Sequence, residues 1–202
     1  MTRTGKLGAV AAALMLFTGT YCSSADESAD AEAAAEAEAA QTPAAAAAEP
    51  AVTLSDAEIA AIVVTANTID VQNGELARER ATDERVREFA ETMVRDHTAV
   101  NQSAGELVAR LGVTPQPNDV SRSLEASAEE TRRTLTSASG AEFDRAYIAN
   151  EVEYHRSVLD ALDNLLIPNA TNAELREALV GVRPAFEAHL QHAQSLQQSL
   201  GS

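Results

Sequence analysis

From Val86 to Leu111 the core-facing positions step by four and three in strict alternation: Val86, Ala90, Met93, His97, Val100, Ala104, Leu107, Leu111. That spacing keeps one stripe of a helix against a partner along its whole length, whereas a strand would send alternate residues to opposite faces. Gly112 ends the pattern, and Pro115 and Pro117 forbid its continuation. The same steps recur in Leu175, Leu179, Val182, Phe186, His189, Ala193, Leu196 and Leu200. Pro184 lies inside this second seam, removes one ladder hydrogen bond and predicts a kink about one turn before His189. Two helices that must bury a seam need further helices to bury it against.

Those helices are legible. Ser55-Asp56-Ala57-Glu58 reads as a capping box that opens a helix carrying Ile59, Ile62, Val63, Ala66, Ile69, Asn73 and Leu76 at helical spacing. Thr82 and Asp83 break it and cap the next. A third long helix shows Phe143, Tyr147, Glu151, Tyr154, Val158, Leu162 and Leu165, flanked by Ile148, Val152, His155, Leu159 and Leu166, with Pro168 as its predicted stop. Thr171-Asn172-Ala173-Glu174 reads as a second capping box. A short extra helix spans about Val120 to Ser137, between the second and third long helices, and Gly140 breaks it. Aromatics are 3% of the chain and Trp is absent, which suits helices packed through small and aliphatic side chains. The expected fold is all-α: a four-helix bundle with one short additional helix and no sheet.

The N-terminus reads as a targeting segment. Arg3 and Lys6 precede an apolar run from Leu7 to Phe17, too short for a spanning helix, which needs ~20 residues. Residues 1–22 form the expected signal peptide. Cys22, the chain's one cysteine, is a candidate lipidation site, and cleavage after Ser23-Ser24-Ala25 is the rival; the long tether that follows favours the lipoprotein. Residues 23–54 are Ala/Glu-rich with no large apolar run, and are expected to form a disordered tether. The domain is expected over residues 55–202. It has no cysteine, so disulfides, thiolate catalysis and Cys-based zinc sites are excluded. The net charge of −16 repels nucleic acid and anionic lipid. The one expected partner surface is a membrane reached through a lipid anchor, which makes the protein exported and either periplasmic or outer-membrane-associated.

The chemistry must come from polar residues at positions where a bundle is apolar. His97 and His189 lie in the heptad seams and His155 in the apolar stripe of its helix; Asp70 flanks the stripe of the first helix. Counted in turns from the loops, all four fall near mid-bundle. They are the candidate metal ligands, with Glu151, one turn from His155, and His192, three residues after His189, as secondary candidates. Imidazoles with a carboxylate suit zinc, copper or iron. The Glu-x-x-His pattern of a di-iron centre is absent: Val94, Val152 and Phe186 stand three residues before the three histidines. Two other roles remain open for the cluster, a hydrogen-bonded network that fixes helix register and a group of histidines that loosens the bundle at low pH. Asp96 and Asp144 read as solvated faces or caps. No phosphate loop, nucleophile elbow or H-E-x-x-H occurs, and no catalytic residue is assigned.

The stretch Asn67-Thr68-Ile69-Asp70-Val71-Gln72-Asn73-Gly74-Glu75-Leu76-Ala77 resembles the first-helix motif of the domain-of-unknown-function family 4142. Met93-Val94-Arg95-Asp96-His97, Ser139-Gly140 with Phe143-Asp144-Arg145-Ala146-Tyr147 and His155, and Pro184 with His189-Leu190 resemble its later motifs in order. The resemblance runs from about Ser55 to Leu200, with Asp70 standing where the family usually has Glu. It implies export, of the outer-membrane-protein type, and a ferritin-like bundle; it implies no established activity. The expected function is thus an exported, envelope-located bundle whose core His/Asp cluster is structural or binds a single metal ion. The alternatives are a ferritin-like metalloenzyme or metal-storage protein, and a tethered protein-interaction module.

Overall fold

The computed structural model describes residues 53–201; the expected signal peptide, Cys22 and the expected tether up to residue 52 lie outside the described residues. Helix α1 spans Asp56–Arg80, α2 Glu84–Leu111, α3 Asp119–Ser137 and α4 Ala141–Ala161. α4 passes through a wide π turn at Leu162–Leu166 into the three-residue α5, Ile167–Asn169, and α6 spans Ala173–Leu200. No strand occurs among the described residues, and none of their helices is long and apolar enough to cross a membrane. The all-α bundle expected from the sequence is therefore what the described residues form.

α1 packs along α2 and α4 along α6, so the bundle is two helical hairpins; α3 lies across α1 and touches α4. At Gly74 an added Cβ would sit 2.9 Å from Val94 Cγ2 and 3.2 Å from the Ala90 carbonyl oxygen. Glycine is what lets α1 and α2 approach that closely. Arg80 donates to the carbonyls of Leu135 and Ala138 at 3.0 and 2.7 Å and lies over the Phe143 ring, tying the end of α3 to α1.

Both hairpins close with the same device. In the α1–α2 loop, Asp144 accepts from the Thr82 amide, the Thr82 hydroxyl and the Asp83 amide. In the α5–α6 loop, Asp56 accepts from the Thr171 amide, the Thr171 hydroxyl and the Asn172 amide. Each clamp thus comes from the first turn of the other hairpin. Asp83 caps α2, Asn172 caps α6, and one turn later Arg87 and Arg176 donate back to the carbonyls of Ala81 and Ala170. Both second helices are 28 residues long and end at a glycine. Counted from clamp residue to loop cap, the second hairpin is one residue longer, and the π turn is where that residue is absorbed.

Several expected termini hold and others move. The Ser55–Glu58 box forms as read. The second box does not: Asn172, not Thr171, accepts from the Glu174 and Leu175 amides, because Thr171 is bound to Asp56. A capping box unseen in the sequence joins Asn118 and Ser121. Pro168 does not stop the third long helix. The Ile167 amide reaches back five residues to the Leu162 carbonyl, and Pro168 follows in a turn that continues to Asn169. α6 runs unbroken through Pro184.

Two apolar clusters fill the core. One gathers Phe89, Met93, Leu135, Phe143, Tyr147 and Leu196; the other gathers Ile59, Ile62, Leu107, Leu162, Leu179 and Phe186. Along α1, α2, α4 and α6 alike, a layer of buried Asp70, His97, Glu151, His155 and His189 falls between them. On the second cluster's side lies a cavity of about 540 Å³.

Candidate metal centre

Each long helix contributes a polar side chain to that layer: Asp70 from α1, His97 from α2, Glu151 and His155 from α4, His189 from α6. Asp70 and Glu151 are 0% exposed, and the three histidines 1–6%. The imidazoles form a triangle with all three ring centroids 5.4 Å apart. Three imidazoles around one ion, each bound at roughly 2.0–2.1 Å, put their ring centres roughly 5.2–5.5 Å apart. Phe186 covers the triangle, stacked on His97 at 4.9 Å and 6.1 Å from each of the other two rings.

The hydrogen bonds around the triangle fix which nitrogens face inward. The Asn67 amide group donates to the Val63 carbonyl at 2.8 Å, so its oxygen is the atom that meets His97 Nδ1 at 2.7 Å. His97 Nδ1 must then carry the proton. His155 Nδ1 lies 3.0 Å from the Glu151 backbone carbonyl, which only accepts. His189 Nε2 lies 3.0 Å from an Asp96 carboxylate oxygen. In all three rings the N–H points outward to a fixed acceptor. The remaining nitrogens, His97 Nε2, His155 Nε2 and His189 Nδ1, are buried and have no hydrogen-bond partner. One ligand nitrogen from each ring lies within 4.8 Å of the others.

The carboxylates adjoin this triangle. An Asp70 oxygen is 3.3 Å from His97 Nε2 and 3.8 Å from His155 Nε2, and Glu151 Oε2 is 3.5 Å from His155 Nδ1. Asp70, Glu151 and His155 form a second group of potential ligands, again within 4.8 Å of one another. Both Asp70 oxygens, Glu151 Oε2 and the Tyr147 hydroxyl lack partners.

Burial sets the protonation. It pushes His97 down to about 3, helped by the neighbouring His155 and His189, and His155 down to about 4, so both rings are neutral. His189 is also lowered by burial, in part offset by its bond to Asp96. Burial raises Asp70 to about 8; burial and then the charge of Asp70 raise Glu151 well above its ordinary value. Burial therefore favours neutral imidazoles and protonated carboxyls in the core at neutral pH. Neutral rings with free lone pairs are the ligand form of histidine.

Asp70, His97, His155 and His189 do meet, as does Glu151. His192 does not: it is exposed on α6, with its ring edge-on to Phe89 at 5.1 Å. Two functional side chains escaped the sequence reading. Asn67 is buried and orients His97, and Asp96, read as a solvated face or cap, orients His189. Beyond their place in the motifs that resemble the family, their signal was a polar residue on α1's apolar flank and an acid next to a seam histidine. Asp144, read the same way, is a buried loop clamp.

A helical bundle with a buried layer of histidines and carboxylates defines the class of this protein. Within that class, the chain belongs to the family described as Domain of unknown function (DUF4142), whose model matches residues 41–196. Two solved structures are similar. One is DUF305 from Streptomyces coelicolor, described as a secreted protein, at 14% identity and a TM-score of 0.61, covering 72% of this chain and 93% of that one. The other is CopM in the Cu(II)-bound form, at 13% identity and a TM-score of 0.56, covering 73% of this chain and 99% of that one. At these identities the likeness is one of fold. No curated protein matches the sequence.

Proposed function

We propose that this domain is a metal-binding bundle of the cell envelope, without catalytic activity, that holds a single transition-metal ion on His97, His155 and His189. One observation carries the reading: three buried rings with centroids 5.4 Å apart, each with its N–H tied outward, keep one unpartnered nitrogen apiece. A network built only to fix helix register would satisfy all three nitrogens, whereas Asp70 comes within 3.3 Å of His97 Nε2 alone and lies 3.8 Å from His155 Nε2. Outward N–H bonds to a carboxylate or carbonyl are the usual support of metal-bound histidine. Asp70 adjoins the same point and completes a mixed imidazole–carboxylate set. Its chemistry suits zinc, copper or iron, and the copper-bound state of the similar CopM makes Cu(II) the first ion to try. Electroneutrality supports one ion. A divalent cation brings two charges, and Asp70 and Glu151 can release two protons to balance them. Export and a lipid on Cys22 belong to the same reading and rest on the N-terminal sequence alone. Mass spectrometry of the mature N-terminus separates a lipidated Cys22 from a soluble form.

The test loads metal-free protein with one equivalent of Cu(II) or Zn(II), followed by dialysis and metal analysis. Wild type should retain one ion. His97→Ala should keep its helicity and weaken binding by more than the ~100-fold typical of outer-shell changes. A wild-type protein that retains no ion would reduce the cluster to a register-fixing network.

A further inference from the structure

The cavity beside the histidine layer is built for something other than a metal. It measures about 540 Å³ and lies among α1, α2, α3, α4, the π turn and α6. Val100, Leu107, Leu124, Val158 and Leu179 make its walls, and Phe186 separates it from the imidazoles. Glu153 is the one charged side chain that lines it; the other polar groups are amides and hydroxyls. Two of those are already committed, the Tyr154 hydroxyl to the Ala66 carbonyl and Asn67 to Val63 and His97.

The pocket is open to solvent on the side of exposed Ser103, Ser127, Glu153 and Ser157, while its aliphatic walls offer water few of the 2–4 polar partners it needs. Its volume of about 540 Å³ falls within the range of ligand clefts, ~300–1,000 Å³. Charge narrows the class further. The chain carries −16 overall and the lining has no basic residue, so a fatty acid or other anion finds no counter-charge. The π turn contributes Leu162, Leu165 and Leu166 to the wall, and such turns concentrate where a helix departs from regular packing to make a site.

We infer that this cavity binds an uncharged, apolar small molecule of ligand size, held by its shape and its aliphatic lining. The site shares Phe186 and Asn67 with the imidazole layer but does not depend on a metal. An occupant packed on Phe186 touches the residue that stacks on His97.

The probe is N-phenyl-1-naphthylamine, uncharged and fluorescent in apolar surroundings, titrated into the purified full chain. Saturable binding near one per chain is expected, while the anionic 1-anilinonaphthalene-8-sulfonate should bind at least ~10-fold more weakly. Ala104→Phe from α2 and Leu124→Trp from α3 fill the space from two different helices. Each should lower probe affinity at least ~10-fold while circular dichroism shows helicity retained. Metal-free wild type should bind the probe as the Cu(II)-treated protein does, which separates this site from the metal reading. Absence of saturable binding in wild type, or unchanged binding in both filled variants, overturns the inference. Equal binding of the two probes would mean nonspecific surface adsorption and overturns it as well.

Discussion

The two hairpins of this bundle share a frame and differ in what they put inside it. α1–α2 and α4–α6 close with the same Ala-Thr-Asx loop, the same arginine one turn on, and a carboxylate lent by the opposite hairpin. Counted from the loop cap, His97 of the first hairpin and Phe186 of the second stand at the same position, and they stack on each other. Counted from the clamp residue, Asn67 matches His155 in the same way. Equivalent positions thus hold a ligand on one side and its support on the other. The clamps sit at the hairpin ends and set the register, which leaves the middle of each helix free to carry chemistry that the frame does not require.

The comparison can be broken at its clamps. Asp144 is 2% exposed while Asp56 is only partly buried, although both accept the same three bonds. Asp144→Ala removes a buried acceptor from two amides and a hydroxyl and should cost about 3 kcal/mol in denaturant unfolding. Equal losses for the two clamp variants would show that burial does not separate them.

The next largest effect is one of pH on the metal-free protein. His97 and His155 are depressed, so their contribution is present above ~6.5 and is lost as pH falls toward 4 and 3. Asp70 is raised, so its contribution is present below ~3.8 and is lost as pH rises toward 8. Between about pH 4.5 and 6.5 the two trends oppose each other. Above 6.5 only the carboxyl trend remains, and stability should fall by roughly 2 kcal/mol by pH 8. Urea midpoints across this range read it directly, and a rise instead of a fall would show Asp70 already ionised in the fold. Metal should remove the loss, since bound cation favours the ionised carboxyls.

Asp56→Ala should then cost about 1–2 kcal/mol, because water can replace part of what it supplies. The smallest effect belongs to a support that the other hairpin lacks at the matching position, where Ala185 stands for Asp96. Asp96→Asn should weaken metal binding ~10-fold while leaving unfolding of the metal-free protein nearly unchanged, as a competition titration would show.

Much of this was legible in the chain. Strict heptad steps located α2 and α6, since burying one stripe of a helix leaves a one-dimensional trace. The interruption of that trace by His97 and His189, and of α4's stripe by His155, marked the polar layer for the same reason. The orienting residues left no such trace. Asn67 and Asp96 matter through partners 30 and 93 positions away, and helical spacing does not report which distant ring a polar side chain meets. Asp144 and Asp56 were hidden likewise, as acids in the first turn of a helix usually serve that helix's own dipole. The π turn had no signal in composition, because Pro168 reads as a stop unless the wider turn before it is known.

That turn has a consequence for how such a bundle can change. One residue advances an α-helix by about 100° around its axis. An extra residue lodged in a bulge lets the stretch before it and the stretch after it keep separate azimuths on a single rod. Removing Asp163 or Asn164 would straighten the rod and turn the stretch after the bulge about a quarter-turn against the clamped stretch that carries His155, with every side chain of the layer still in the chain.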